Sequence, residues 1–167
     1  MKTMNRRTAL GAIPAAAFSG LALAQLAVAQ SAGTQTAEDF LVMSAESLAA
    51  DIKALMAEPG SKRLFADKNF LLDLWVEKAK SAKEYEWHDR RDHIIVILDG
   101  ETDYELGGKP EGTHANGPGE WLAPSCPGAK KVTLKKGDTL VIRRGVAHKR
   151  STAGYVVLTL AAPLTPA

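Results

Sequence analysis

The side chains of this chain that are best suited to chemistry are few. Its four histidines are His88, His93, His114 and His148. In Glu86-Trp87-His88 a carboxylate and an imidazole stand two residues apart, and on a strand positions i and i+2 face the same side. Both can therefore point into one interior. His93 follows after the charged turn Asp89-Arg90-Arg91-Asp92. His148 lies far along the chain, after a Gly-containing turn. A carboxylate with three imidazoles suits a divalent transition metal: Fe, Mn, Ni, Cu or Zn. The alternative is a site without metal, with His93 a core histidine and Glu86 a strand-edge charge. Glu84 shares the parity of Glu86 and His88 and is the candidate acid or base. Arg150 shares the parity of His148 and is a candidate for an anionic group. Trp87 and Tyr104, with Tyr85 and Trp121, are candidates for the lining of a pocket mouth. His114 sits in the polar stretch Glu111-Gly112-Thr113-His114-Ala115-Asn116 and is expected to be solvated, with a lid over the site as the alternative.

These residues need elements to hold them. Ser44 is a suitable N-cap for a helix through Leu48, Ile52, Leu55 and Met56, ending near Pro59-Gly60. From Lys62 the pattern turns to short strands: Phe70 to Lys78, His93 to Leu98, Thr102 to Leu106, Lys131 to Leu134, Thr139 to Arg143 and Tyr155 to Ala161. Gly turns such as Gly107-Gly108 and Lys136-Gly137-Asp138 separate them. Short strands with Gly turns indicate a β-sandwich or barrel. No internal repeat is visible, so one such domain is expected.

Two motifs carry a family resemblance. The segment from Gly137 to His148 places Gly137, Gly145 and His148 at the spacing of the second cupin motif, with Arg143 where the family has Pro. Asp99-Gly100-Glu101 resembles the turn that ends the first motif, and counting back from Gly100 sets His93, His88 and Glu86 on its three ligand positions. The ligand types are exchanged: Glu comes first, and His stands where the family has Glu. The resemblance spans about half of the chain beyond the leader and implies an all-β cupin fold, a double-stranded β-helix or jelly-roll barrel, with a short N-terminal helix. It implies one metal, Fe or Mn in first place, held by Glu86, His88, His93 and His148, and a small-molecule substrate. Dioxygenase-type chemistry on a small oxygenated organic molecule is the leading expectation. Metal-assisted lyase or isomerase chemistry and a non-catalytic metal- or ligand-binding cupin are the alternatives. Homodimerisation through sheets and N-terminal segments is also implied.

The first 29 residues read as a leader. Asn5-Arg6-Arg7 precedes an uncharged, alanine-rich stretch that ends in Ala27-Val28-Ala29, a small-x-small cleavage pattern. This resembles a twin-arginine export signal and predicts a periplasmic protein without a stable membrane span after cleavage. The expected organisation is a signal peptide over 1–29, a linker and helix over 30–61, and the barrel over 62–167. The whole chain carries +2, with 21 Lys and Arg against 19 Asp and Glu. Lys2, Arg6 and Arg7 lie in the leader, so the remainder holds 18 basic against 19 acidic residues. A near-neutral domain is a poor match for nucleic acid. The single cysteine, Cys126, excludes an internal disulfide, and its Pro-Ser-Cys-Pro-Gly setting marks a loop or packing thiol.

Overall fold

The computed structural model describes residues 41–165. The export segment read in residues 1–29 and the linker before residue 41 lie outside the described residues. No helix among the described residues is long and apolar enough to cross a membrane.

Among the described residues, one helix precedes the strands. α1 runs Ala45–Ala57, and Ser44 caps it by accepting the amide of Ser47 at 3.1 Å. Nine strands follow: β1 Gly60–Ala66, β2 Phe70–Ser81, β3 Tyr85–His88, β4 His93–Leu106, β5 His114–Gly117, β6 Glu120–Ala123, β7 Lys130–Lys135, β8 Thr139–Ile142 and β9 His148–Pro163. The expected segments His93 to Leu98 and Thr102 to Leu106 are one long strand, and the last strand begins seven residues earlier than its apolar run.

β9 is the spine. It pairs β2 and, at Glu86, β3 along one edge and β4 along the other. β4 carries β8 and β7 on its far side, β2 carries β1, and β3 carries β6 and then β5. The expected barrel is not closed by hydrogen bonds: the sheet runs from β1 to β5, and no pairing joins those ends among the described strands. It is a curled, open jelly roll.

The curl is what builds the site. The 14 residues of β4 would span roughly 45 Å if straight. His93 opens β4, whereas His148 pairs with Leu106 at its other end. Even so, the His93 and His148 rings lie 5.1 Å apart. The β4–β9 ribbon therefore folds over on itself. It does so at register shifts between Ile97 and Asp99 and between Gly100 and Asp103, the extra residues adding bend and twist. Gly100, at φ +73°, sits in this bend against the Tyr155 carbonyl.

Strand alternation divides the apolar residues between two faces. Val156 and Leu158 of β9 pack inside the fold with Ile95, Ile97, Tyr104, Leu134 and Ile142. Val157, between them, faces outward with Leu74 and Val76, and Leu48, Ile52 and Leu55 of α1 cover that patch. Covering this outer face is what gives the helix a place in the fold, since an isolated helix of 13 residues is marginal in water.

Candidate metal centre

Three of the four expected ligands converge. His88 ends β3, His93 opens β4 and His148 opens β9, and all three are buried. Each can offer a ring nitrogen, and the three nitrogens lie within 4.8 Å of one another. The ring centroids are 4.7 Å apart for His88 and His93, 5.4 Å for His88 and His148, and 5.1 Å for His93 and His148.

Backbone ties hold this cluster. The Gly145 amide donates to the His88 carbonyl at 2.8 Å, joining the turn before β9 to the end of β3. Gly145, at φ +76°, is the third residue of a turn closed by the Val146 amide donating to the Arg143 carbonyl, a position that favours glycine. Asp92, next to His93, accepts the Arg144 amide at 2.7 Å and lies 3.3 Å from Arg143 Nε. The residue that stands in place of the motif Pro thus contributes an ion pair that fastens β4 to the same turn.

The side chains fit a bound cation. His148 Nδ1 lies 2.9 Å from the Val146 carbonyl, which can only accept, so Nδ1 carries the proton and Nε2 keeps its lone pair. The Nε2 atoms of both His88 and His148 are buried and have no hydrogen-bond partner among the described residues. Buried nitrogens left unmatched cost free energy unless something occupies them, and two of them in one imidazole cluster suit a divalent transition metal. Burial, then the neighbouring His148 and His88, push His93 down to about 3. Burial, then the Arg91 guanidinium, also lowers His88, against the opposing pull of Glu120. His88 and His93 are therefore neutral imidazoles near neutral pH, the form that ligates.

Glu86 stands at the edge of this set. It pairs with His148 across β3 and β9, and its carboxylate lies 3.6 Å from His148 Nε2. Its side chain is half exposed.

The cluster opens on a pocket of about 270 Å³, to which His93, His148, Glu84 and Glu86 all contribute. The structure places Tyr104 and Arg150 in its wall as well. Arg150 is engaged there: Nη2 donates to Glu77 at 2.6 Å, and Nη1 donates to the Tyr104 hydroxyl at 3.3 Å. An anion would have to compete with Glu77, whose side chain is only 9 % exposed. Trp87 is not in the pocket. Strand alternation turns it, with Tyr85, to the opposite face of β3, where it stacks on Trp121 at 6.4 Å beside Cys126 and Ala147. Cys126 is buried there, its thiol donating to the Gly107 carbonyl at 2.9 Å. His114 begins the exposed strand β5, its Nε2 3.6 Å from Glu84.

Glu120 and Arg91 were not among the expected site residues. Glu120 pairs with His88 across β3 and β6. Its carboxylate lies 2.6 Å from His88 Nδ1, and Arg91 Nη2 donates to it at 2.7 Å. The contact depends on β6, a short strand after Gly117-Pro118-Gly119, and no spacing in the sequence marks it.

No protein-family model matches the chain, and no curated protein matches it. Solved structures do resemble it. A protein from Neisseria meningitidis aligns over 74% of this chain and 99% of its own, at 13% identity and TM-score 0.50. A cupin protein from Bacteroides fragilis aligns over 78% and 89%, at 14% identity and TM-score 0.49. An uncharacterized conserved protein with a double-stranded β-helix domain from Klebsiella pneumoniae aligns over 66% and 75%, at 16% identity and TM-score 0.46. At such identities the likeness is one of fold. The fold itself, a curled and open sheet of nine strands among the described residues, is of the jelly-roll kind.

Proposed function

We propose that this chain is a mononuclear metal-dependent enzyme acting on a small oxygenated organic molecule, with dioxygenase-type chemistry as the first reading. The observation that carries it is the pair of orphaned, buried Nε2 atoms on His88 and His148, set with His93 around one point beside the pocket. Fe or Mn bound there would supply Lewis acidity and the activation of O₂. His88, His93 and His148 would hold the metal as neutral donors. Glu86, ionised at neutral pH, is the fourth ligand in this reading, reaching the metal from the pocket side. A pocket of about 270 Å³ is at the low end of ligand pockets, which suits a small substrate. Tyr104 and the Glu77–Arg150 pair shape the wall that the substrate meets. By the same reading the protein acts in the periplasm after removal of its leader.

A second reading rests on a separate observation. Glu84 and Glu86 both line the pocket, so a carboxylate is available to take a proton from a substrate, as a lyase or isomerase requires. The two readings separate in one assay. Fe(II)- or Mn(II)-loaded protein is presented with a panel of small phenols, hydroxy acids and sugars, and both O₂ uptake and exchange of substrate hydrogen with D₂O are followed. Substrate-dependent O₂ uptake that is lost in His93→Ala supports the first reading. Exchange without O₂ uptake, lost in Glu84→Gln, supports the second. Tight ligand binding with neither leaves a binding protein and overturns both.

A further inference from the structure

We propose that Glu120 is a positioning residue that fixes His88 in its metal-ligating tautomer against the competing pull of Arg91. The inference rests on the metal reading of the three-histidine cluster and adds a residue that no motif assigns.

His88 Nδ1 has two neighbours with opposite demands. Glu120 Oε2 lies 2.6 Å away and, as a carboxylate, can only accept. Arg91 Nη2 lies 3.0 Å away and can only donate. If Glu120 prevails, Nδ1 carries the proton and the lone pair is on Nε2, the buried atom without a partner. If Arg91 prevails, it donates to a bare Nδ1, and the proton moves to Nε2, where it blocks ligation. Glu120 settles the contest twice over. It offers the shorter contact, and it takes the Arg91 Nη2 hydrogen bond for itself at 2.7 Å. It also neutralises a guanidinium that would otherwise stand beside a cation site.

The geometry is built in rather than incidental. His88 and Glu120 are direct partners in the β3–β6 ladder, so their side chains stand on one face at cross-strand contact distance. The Asp89 amide donates to the Gly119 carbonyl at 2.9 Å, closing that end of the ladder. Trp121 Nε1 donates to Asp89 at 3.0 Å on the other face. His148 has its own tautomer fixed by the Val146 carbonyl, with no cation in competition among the described residues. His88 alone of the two needs a carboxylate.

The test uses Co(II) titration and long-range ¹H–¹⁵N NMR of the metal-free protein. The wild type should show His88 as the Nδ1–H tautomer. Glu120→Ala should shift it to Nε2–H and lower Co(II) affinity about 10- to 100-fold. Glu120→Gln keeps an acceptor, so it should retain the tautomer and lose less affinity. Arg91→Met added to Glu120→Ala should recover part of the loss. Nε2–H in the wild type, or unchanged affinity and tautomer in Glu120→Ala, would overturn the proposal. If Glu120→Ala does not fold, the tautomer of the wild type and the affinity of Glu120→Gln/Arg91→Met against Glu120→Gln still decide it: the removal of Arg91 must help. Failure of the wild type to bind Co(II) at all would instead overturn the metal reading, and the metal-free tautomer would then decide the role of Glu120 alone.

Discussion

Replacing Gly100 by alanine should damage the fold and the site together, and its cost can be separated into parts. Gly100 has φ +73°, and a non-glycine residue there pays about 1–2 kcal/mol. The reduced freedom of the unfolded chain returns roughly 0.4–1 kcal/mol of this. The second part is contact. A Cβ at Gly100 would overlap the Tyr155 carbonyl oxygen and lie 3.0 Å from its carbon and 3.1 Å from Val156 Cα, all of it backbone. Backbone cannot rotate away as a side chain can, so the β4–β9 ribbon must open where it folds over. Overpacking of this kind costs about 1–3 kcal/mol. Gly137 is the matched control: φ is +93°, and a Cβ there meets nothing within 4 Å. Gly137→Ala should therefore cost about 1 kcal/mol, by the conformational part alone, and Gly100→Ala about 3 kcal/mol. The difference of about 2 kcal/mol corresponds to a gap of roughly 6–10 °C in melting temperature for a domain of this size. Urea titration and thermal circular dichroism of the metal-free proteins measure it. Co(II) affinity should fall in Gly100→Ala and hold in Gly137→Ala, because only the first separates His93 from His148. Equal stabilities and affinities for the two variants would refute the claim that the bend at Gly100 assembles the site.

Acid should unfold the metal-free protein early. The folded-state value of His93 is about 3, against about 6.5 in an unfolded chain, so the unfolded state takes up a proton first. The stability due to the neutral imidazole is complete above about pH 6.5 and is lost as pH falls toward 3, by a few kcal/mol at about 1.4 per unit; urea midpoints from pH 7 to 4 should drop accordingly and drop less in His93→Gln. Arg150→Met should cost about 2–4 kcal/mol by leaving Glu77 buried, and Glu77→Gln added to it should restore much of that in the same urea assay. Mass spectrometry of protein recovered from the periplasm should give a chain that starts at Gln30.

How much of this was readable from the sequence depended on range. The helix was legible because its cap and apolar spacing are local, from Ser44 to Met56. The second motif was legible because Gly137 and Gly145 sit in the two turns that flank β8 and His148 opens the next strand, all within twelve residues. Parity placed Glu84 and Glu86 on the pocket face, yet the same parity puts Trp87 on the opposite one. β1, β5 and β6 did not show as strands. β5 is exposed along its whole length, and β6 is four residues long, so neither carries a clear alternating pattern. Glu120 was hidden for the same reason, since its role exists only once β6 pairs with β3. The engagement of Arg150 with Glu77 joins residues 73 apart and leaves no local trace.

The central claim is that His88, His93 and His148 hold one metal ion. Isothermal titration of the metal-free protein with Co(II) or Mn(II), checked by elemental analysis of the dialysed complex, tests it directly. One ion per chain is predicted for the wild type, with affinity falling at least about 10-fold in each of His88→Ala, His93→Ala and His148→Ala and unchanged in His114→Ala. A wild type that binds no metal, or alanine variants that bind as tightly as the wild type, would contradict it.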